Sequence, residues 1–102
     1  MTAHELVAKW VEALSRHDLA SFRELLDPAV DAAPFVARAE GVRKALGDFV
    51  VTADDVVVNG DRVAWRWTLV AANGATIYGA NFQRLSDAGR VVEHWTINRE
   101  KA

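Results

Sequence analysis

No cysteine occurs in the 102 residues, which excludes disulfides, thiolate nucleophiles and zinc–cysteine sites. Proline is scarce, with Pro28 and Pro34 alone. Neither sign of charge dominates: the formal net charge is −2, and Lys and Arg are scattered rather than clustered, so nucleic acid is not an expected partner. No apolar run approaches the roughly 18 residues that span a membrane. The start, Met1-Thr2-Ala3-His4-Glu5, has neither the basic opening nor the apolar stretch of a signal peptide. A cytoplasmic protein without membrane contact is the expectation. With three histidines, His4 and His17 reading as surface residues far from His94, a metal site is not expected. No linker, repeat or low-complexity segment divides the chain, so residues 1–102 read as one domain, able to bury roughly two-thirds of its unfolded surface.

What is present is concentrated in the second half. Arg62–Ala72, Ala75–Leu85 and Arg90–Arg99 read as three strands rich in β-branched and aromatic residues. Asn73-Gly74 predicts a two-residue hairpin, and Ser86-Asp87-Ala88-Gly89 a four-residue loop. Those turns place Arg66 opposite Asn81, Trp65 opposite Phe82, and Asn81 opposite His94. Because side chains alternate between faces, one face then carries Trp65, Trp67, Tyr78, Phe82, Trp95 and Ile97. The other carries Arg66, Thr68, Ile77, Gly79, Asn81, Gln83, His94, Thr96 and Asn98. Arg66, Asn81 and His94 form a row across three strands, with Cβ spacings of roughly 5 Å.

Helices precede the strands. Thr2 and Glu5 form a capping-box pattern for a helix with Val7, Trp10, Val11 and Leu14 on one stripe. Asp18 suits the N-cap of a second helix, which Asp27-Pro28 stops. Ala29–Val36, interrupted by Pro34, reads as an edge strand or irregular extended piece. Gly41 then opens a third helix with Val42, Ala45, Leu46 and Phe49 at helical spacing, and Phe49–Asn59 forms a strand ending in the hairpin signal Asn59-Gly60. Helices grouped before an antiparallel sheet indicate an α+β fold.

This order, the Ser-Arg-His-Asp-Leu between the first two helices, and the ending Gly79-Ala-Asn-Phe-Gln-Arg-Leu-Ser-Asp-Ala-Gly-Arg-Val-Val-Glu-His-Trp resemble the SnoaL-like polyketide cyclases. Those belong with the ketosteroid isomerases and limonene epoxide hydrolases. The resemblance covers essentially the whole chain. It implies a cystatin-like (nuclear-transport-factor-like) cone, in which a curved, mostly antiparallel sheet wraps around the N-terminal helices and a pocket. It also implies that Ile77, Gly79, Asn81, His94, Thr96 and Asn98 face that pocket. Trp10 stands where the isomerases carry an oxyanion tyrosine, and Asn81 where they carry a second oxyanion donor. Asp31 is the carboxylate nearest the position of their general base. A homodimer covering the Trp65/Trp67/Trp95 face is implied as well, although an isolated sheet would turn its more apolar face to the helices.

The candidate catalytic residues are therefore His94, Asn81, Arg66 and Asp31. Arg66 and Asn81 are donors suited to a developing enolate or alkoxide, and His94 is suited to moving a proton near neutrality. Arg66 beside His94 favours the neutral imidazole and hence a base role. Trp10, Thr68, Ile77, Gly79, Thr96 and Asn98 are the candidate substrate contacts. The chemistry expected is proton abstraction beside a carbonyl, as in isomerisation or aldol cyclisation, on a small hydrophobic molecule without a cofactor. The competing readings are a non-catalytic ligand-binding domain and a dimerisation module, in which the polar row is a structural network.

Overall fold

The computed structural model describes residues 1–99. Three helices, α1 (Ala3–Arg16), α2 (Leu19–Leu25) and α3 (Ala33–Leu46), precede four strands, β1 (Phe49–Asn59), β2 (Arg62–Ala71), β3 (Thr76–Leu85) and β4 (Val91–Arg99). The strands form an antiparallel meander in the order β1-β2-β3-β4, curved and unclosed, with the helices on one face. This is the expected α+β architecture. No described helix is long and apolar enough to cross a membrane.

The helix ends follow from local chemistry. Thr2 and Glu5 satisfy each other's backbone N–H groups in a complete capping box. Asp18 accepts the Ser21 N–H at 2.7 Å and starts α2. Leu26 then forms a parallel bridge to Val91, and the Asp27 N–H bonds the Val91 carbonyl at 2.8 Å. The end of α2 is thereby tied to the first residue of β4.

The segment 29–36 is not an extended edge. Pro34 lies in the first turn of α3, where its fixed φ suits a helix and its missing N–H is no loss. Asp31 accepts the Ala33 N–H at 3.0 Å just ahead of it. Gly41 therefore sits inside α3 rather than opening it. Phe35, Ala39, Val42 and Leu46 fall at helical spacing along the side that meets the core.

The hairpin between β2 and β3 also differs from expectation, and the difference moves a whole strand. Ala71 pairs across the loop with Ala75, so three residues turn the chain rather than two. Only Gly74 takes a positive φ, of 90°, and the Asn73 carboxamide accepts the Ala75 N–H. A type I′ turn would need positive φ at both central residues. The Ala72 and Asn73 N–H groups are instead held by the carbonyls of Asp48 and Leu46. A one-residue slip exchanges the two faces of a strand. Trp65 consequently stands opposite Asn81, and Arg66 opposite Ala80.

The β3–β4 hairpin moves by two positions through a bulge near Val92, where Leu85 pairs with Val91 and Arg84 with Glu93. An even shift keeps the faces. Asn81 faces Thr96, and Gln83 faces His94.

The inner face therefore carries Val63, Trp65, Trp67 and Leu69 from β2 together with Asn81, Gln83 and His94. Trp65 is 2 % exposed and Trp95, on the outer face, 65 % exposed. The expected Trp65/Trp67/Trp95 face does not exist as one surface. Energetics explains the choice. Each tryptophan buries about 150–250 Å², or several kcal/mol at about 25 cal/mol/Å², and two of them weigh heavily against a net stability of about 5–15 kcal/mol. Trp65 joins Leu6, Trp10, Phe22 and Leu26 in the main core, while Val51, Leu69 and Ala71 form a second cluster toward β1.

Candidate active site

Between the helices and the inner face lies a cavity of about 210 Å³. Its walls are apolar: Trp10 and Leu14 come from α1, Phe35 and Val42 from α3, Val51 from β1 and Trp67 and Leu69 from β2. Polar groups enter from one side, as Asn81 on β3 and His94, Thr96 and Asn98 on β4, with Arg38 of α3 at the margin. A cavity of about 150 Å³ holds a benzene ring, so this one suits a ligand of one or two rings. Among the described residues no Asp or Glu lines it, and no group of three metal-ligating side chains occurs.

His94 is held between aromatic rings. Trp10 stacks on it with centroids 4.9 Å apart and planes at 22°. Phe35 meets it edge-on at 5.2 Å. Its Nδ1 lies 3.1 Å from Nε2 of Gln83, while its Nε2 has no partner among the described residues and is not sealed from the cavity. Burial, and secondarily the nearby Arg38 guanidinium, push the imidazole down to about 4. Removing it from water disfavours the charged form. Near neutrality the ring is uncharged.

Two tryptophans order the amides beside it. Trp65 Nε1–H donates to Gln83 Oε1 at 3.0 Å, and Trp67 Nε1–H donates to Asn81 Oδ1 at 3.0 Å. Each indole reaches diagonally, since Trp65 is opposite Asn81 and Trp67 opposite Gly79. Asn81 is 4 % exposed and Gln83 3 % exposed. With its oxygen taken by Trp67, Asn81 keeps an NH₂ group that has no partner among the described residues and is not sealed off beside the cavity it lines.

Of the residues singled out in the sequence, the fold brings His94, Asn81, Trp10, Ile77, Thr96 and Asn98 to this one cavity. Gly79 faces the same way but is covered by the Trp67 ring, which fills the place of its missing Cβ. Arg66 and Thr68 are on the opposite face of the sheet. Arg66 pairs with Asp55 at 3.4 Å, and the Thr68 hydroxyl bonds Asp54. A bulge between Ala53 and Asp55 brings both acids to that side. The expected Arg66–Asn81–His94 row is thus broken, and the cation near His94 is Arg38. Asp31 is exposed ahead of α3, its carboxylate engaged by the Ala33 N–H, and does not line the cavity.

Gln83, Arg38 and Phe35 were not among the candidate site residues, and Trp67 was expected on the dimer face rather than at the cavity. The spacing Asn81-x-Gln83, two amides on one face of a strand, was the available signal for Gln83. For Phe35 and Arg38 it was the helical spacing of 35, 38, 39 and 42, obscured by Pro34.

Comparison with known proteins agrees with this architecture. IdmH, a candidate polyketide cyclase from Streptomyces antibioticus, is 25 % identical with a TM-score of 0.79, over 96 % of this chain and 92 % of that one. AclR, a candidate hydroxylase from Streptomyces galilaeus, is 26 % identical with a TM-score of 0.78, over 96 % of this chain and 79 % of that one. A SnoaL-like protein from Jannaschia sp. CCS1, at 16 % identity and a TM-score of 0.75 over 93 % of this chain and 83 % of its own, shares the fold. No curated protein matches the sequence. The model of the SnoaL-like domain matches residues 7–94, and this chain, with its helices laid on a four-stranded curved sheet, belongs to that family.

Proposed function

We propose that the chain binds a small apolar carbonyl compound and carries out cofactor-independent acid–base chemistry on it, of isomerase or aldol-cyclase type. The observation that carries this reading is a pair of hydrogen-bond donors, the Asn81 amide and the His94 imidazole, on the polar side of a cavity whose other walls are apolar. Donors fixed in a site of low polarity stabilise charge as it develops on a carbonyl oxygen. When a proton leaves the carbon beside that carbonyl, the electron pair moves onto the oxygen, and the two donors lower the cost of the resulting enolate. No carboxylate lines the cavity, so in this reading the proton passes to water at its mouth. IdmH, a candidate cyclase of similar fold, lends support.

The test is turnover of enolisable one- and two-ring diketones. His94→Ala and Asn81→Ala should each lower kcat about 10²–10³-fold while the fold is retained. Full turnover in His94→Ala would remove the mechanism. The missing carboxylate favours a second reading, a ligand-binding domain without catalysis. That reading predicts ligand-dependent thermal stabilisation and no product.

A homodimer is part of the same proposal, through a face of different composition from the one expected. Tyr78, Phe82, Trp95 and Ile97 are exposed on the outer side of the sheet, beside a depression of about 470 Å³. A monomer seldom leaves so continuous an apolar surface bare. Two ion pairs on that side are matched within the chain, Arg66 with Asp55 and Arg84 with Glu93, and Asp54 accepts the Thr68 hydroxyl. Two copies meeting on this face bring together no unmatched cation or anion of these pairs, which is why a second copy of the chain is the occupant proposed.

A further inference from the structure

We infer that Gln83 is a positioning residue that fixes which nitrogen of His94 carries the proton, making the imidazole a hydrogen-bond donor to the substrate and not its base. The inference deepens, and rests on, the reading of the cavity as a carbonyl site. An indole N–H only donates, so the 3.0 Å bond from Trp65 Nε1 assigns the oxygen of the Gln83 amide. The other end of that amide, 3.1 Å from His94 Nδ1, is then NH₂ and donates. Nδ1 must accept. A neutral imidazole has one donor and one acceptor nitrogen, so its proton sits on Nε2, the atom open to the cavity.

The lock resists reversal. A protonated His94 would set Nδ1–H against the Gln83 NH₂ group. Turning the amide to accept from Nδ1–H would set its NH₂ against the Trp65 N–H. Gln83 is 3 % exposed and Trp65 2 % exposed, so water cannot repair either mismatch, and an unmet buried polar group is costly. The groups that face His94 are Trp10 from α1, Phe35 and Arg38 from α3, and Gln83 from β3. Arg38 is the charged one among them, and it opposes protonation.

The consequence is a division of labour opposite to the one expected from sequence. His94 takes no proton and forms no covalent bond; it lends Nε2–H to an oxygen that gains charge. Neutral histidine acting as an electrophile in this way is an established chemical device. Asn81, oriented by Trp67 as Gln83 is by Trp65, supplies the second donor.

The experiment is a nitrogen-15 NMR measurement of the ring nitrogens on the full chain without ligand, from about pH 7 to about pH 5, with His94→Gln identifying the signals. Wild type should show an unprotonated, hydrogen-bonded Nδ1 and a protonated Nε2 throughout. Gln83→Glu places a carboxylate that accepts from both Trp65 and Nδ1–H. It should move the proton to Nδ1 or protonate both nitrogens, raising the pH at which His94 titrates. A wild-type Nδ1–H tautomer, ordinary histidine titration in wild type, or an unchanged tautomer in a folded Gln83→Glu would each overturn the inference. Because no substrate is involved, failure of the catalytic reading is seen separately: the tautomer holds, yet no carbonyl compound turns over.

Discussion

The indole of Trp67 lies across Gly79 in the space that a β-carbon would occupy. The two residues are direct cross-strand partners, and the absent side chain lets the ring lie flat enough for Nε1–H to reach Asn81. A packing relationship on one side of the sheet thereby sets the direction of a hydrogen-bond donor in the cavity.

Gly79→Ala tests that relationship. The added methyl meets the Trp67 ring, and overpacking of this kind costs about 1–3 kcal/mol. Urea unfolding should show a lower midpoint with an unchanged slope, and ligand affinity should fall because the Asn81 amide is no longer held. An unchanged midpoint would mean that the ring has another resting place.

Stability should depend on pH through His94. Its folded-state value, about 4, lies below the ordinary 6.5, so between those values the unfolded chain binds the extra proton. Stability therefore rises with pH across that window. The contribution is fully present above about pH 6.5 and is lost as pH falls through about 4; its upper bound is about 3 kcal/mol. His94→Gln should flatten the profile between those limits, and Arg38→Gln should raise the lower limit and so reduce the total loss, leaving the upper limit in place. Urea midpoints measured across the window decide the matter.

Trp65→Phe and Trp95→Phe should differ sharply. The first leaves Gln83 Oε1 buried without its donor, at a cost of about 1–3 kcal/mol, and frees the amide to turn. The second removes an N–H that bonds Glu93 on the outer face and keeps an apolar ring there, so at concentrations where the chain is monomeric it stays within about 0.5 kcal/mol. Equal effects on thermal unfolding would contradict the assignment of the two tryptophans to opposite faces.

Ile97→Glu addresses the outer face. Ile97 is exposed and borders the depression beside Tyr78 and Phe82, so a carboxylate there is harmless in a monomer. In the proposed dimer it would be buried without a partner, which is costly. Sedimentation should show dimeric wild type and monomeric variant at equal concentration. Monomeric wild type at high micromolar concentration would end the dimer proposal.

The sequence determined a good deal without help. Thr2 with Glu5 and Asp18 with Ser21 wrote the helix starts, because capping is a matter of residues three apart. The bounds of β1 were legible in full, Phe49 to Asn59. The pairing of Asn81, His94, Thr96 and Asn98 on one face survived a two-residue shift, since an even shift keeps alternation. Local chemistry and parity sufficed for these.

Tertiary structure decided the rest. Asn73-Gly74 is compatible with turns of two or three residues, which differ little locally but set β2 on opposite faces. The carbonyls of Leu46 and Asp48 and the burial of Trp65 and Trp67 made the selection, and they are brought to that place only by the folded chain. Pro34 likewise reads as a strand breaker or a helix start until α3 has a core to lie on. The partners of His94 follow from these choices: Arg66 is turned outward, Arg38 is brought in by α3, and Gln83 is tied to a tryptophan 18 residues away in sequence. Alternation along a strand is a local property, but which face meets the helices is settled by the hydrophobic area that long-range packing removes from water.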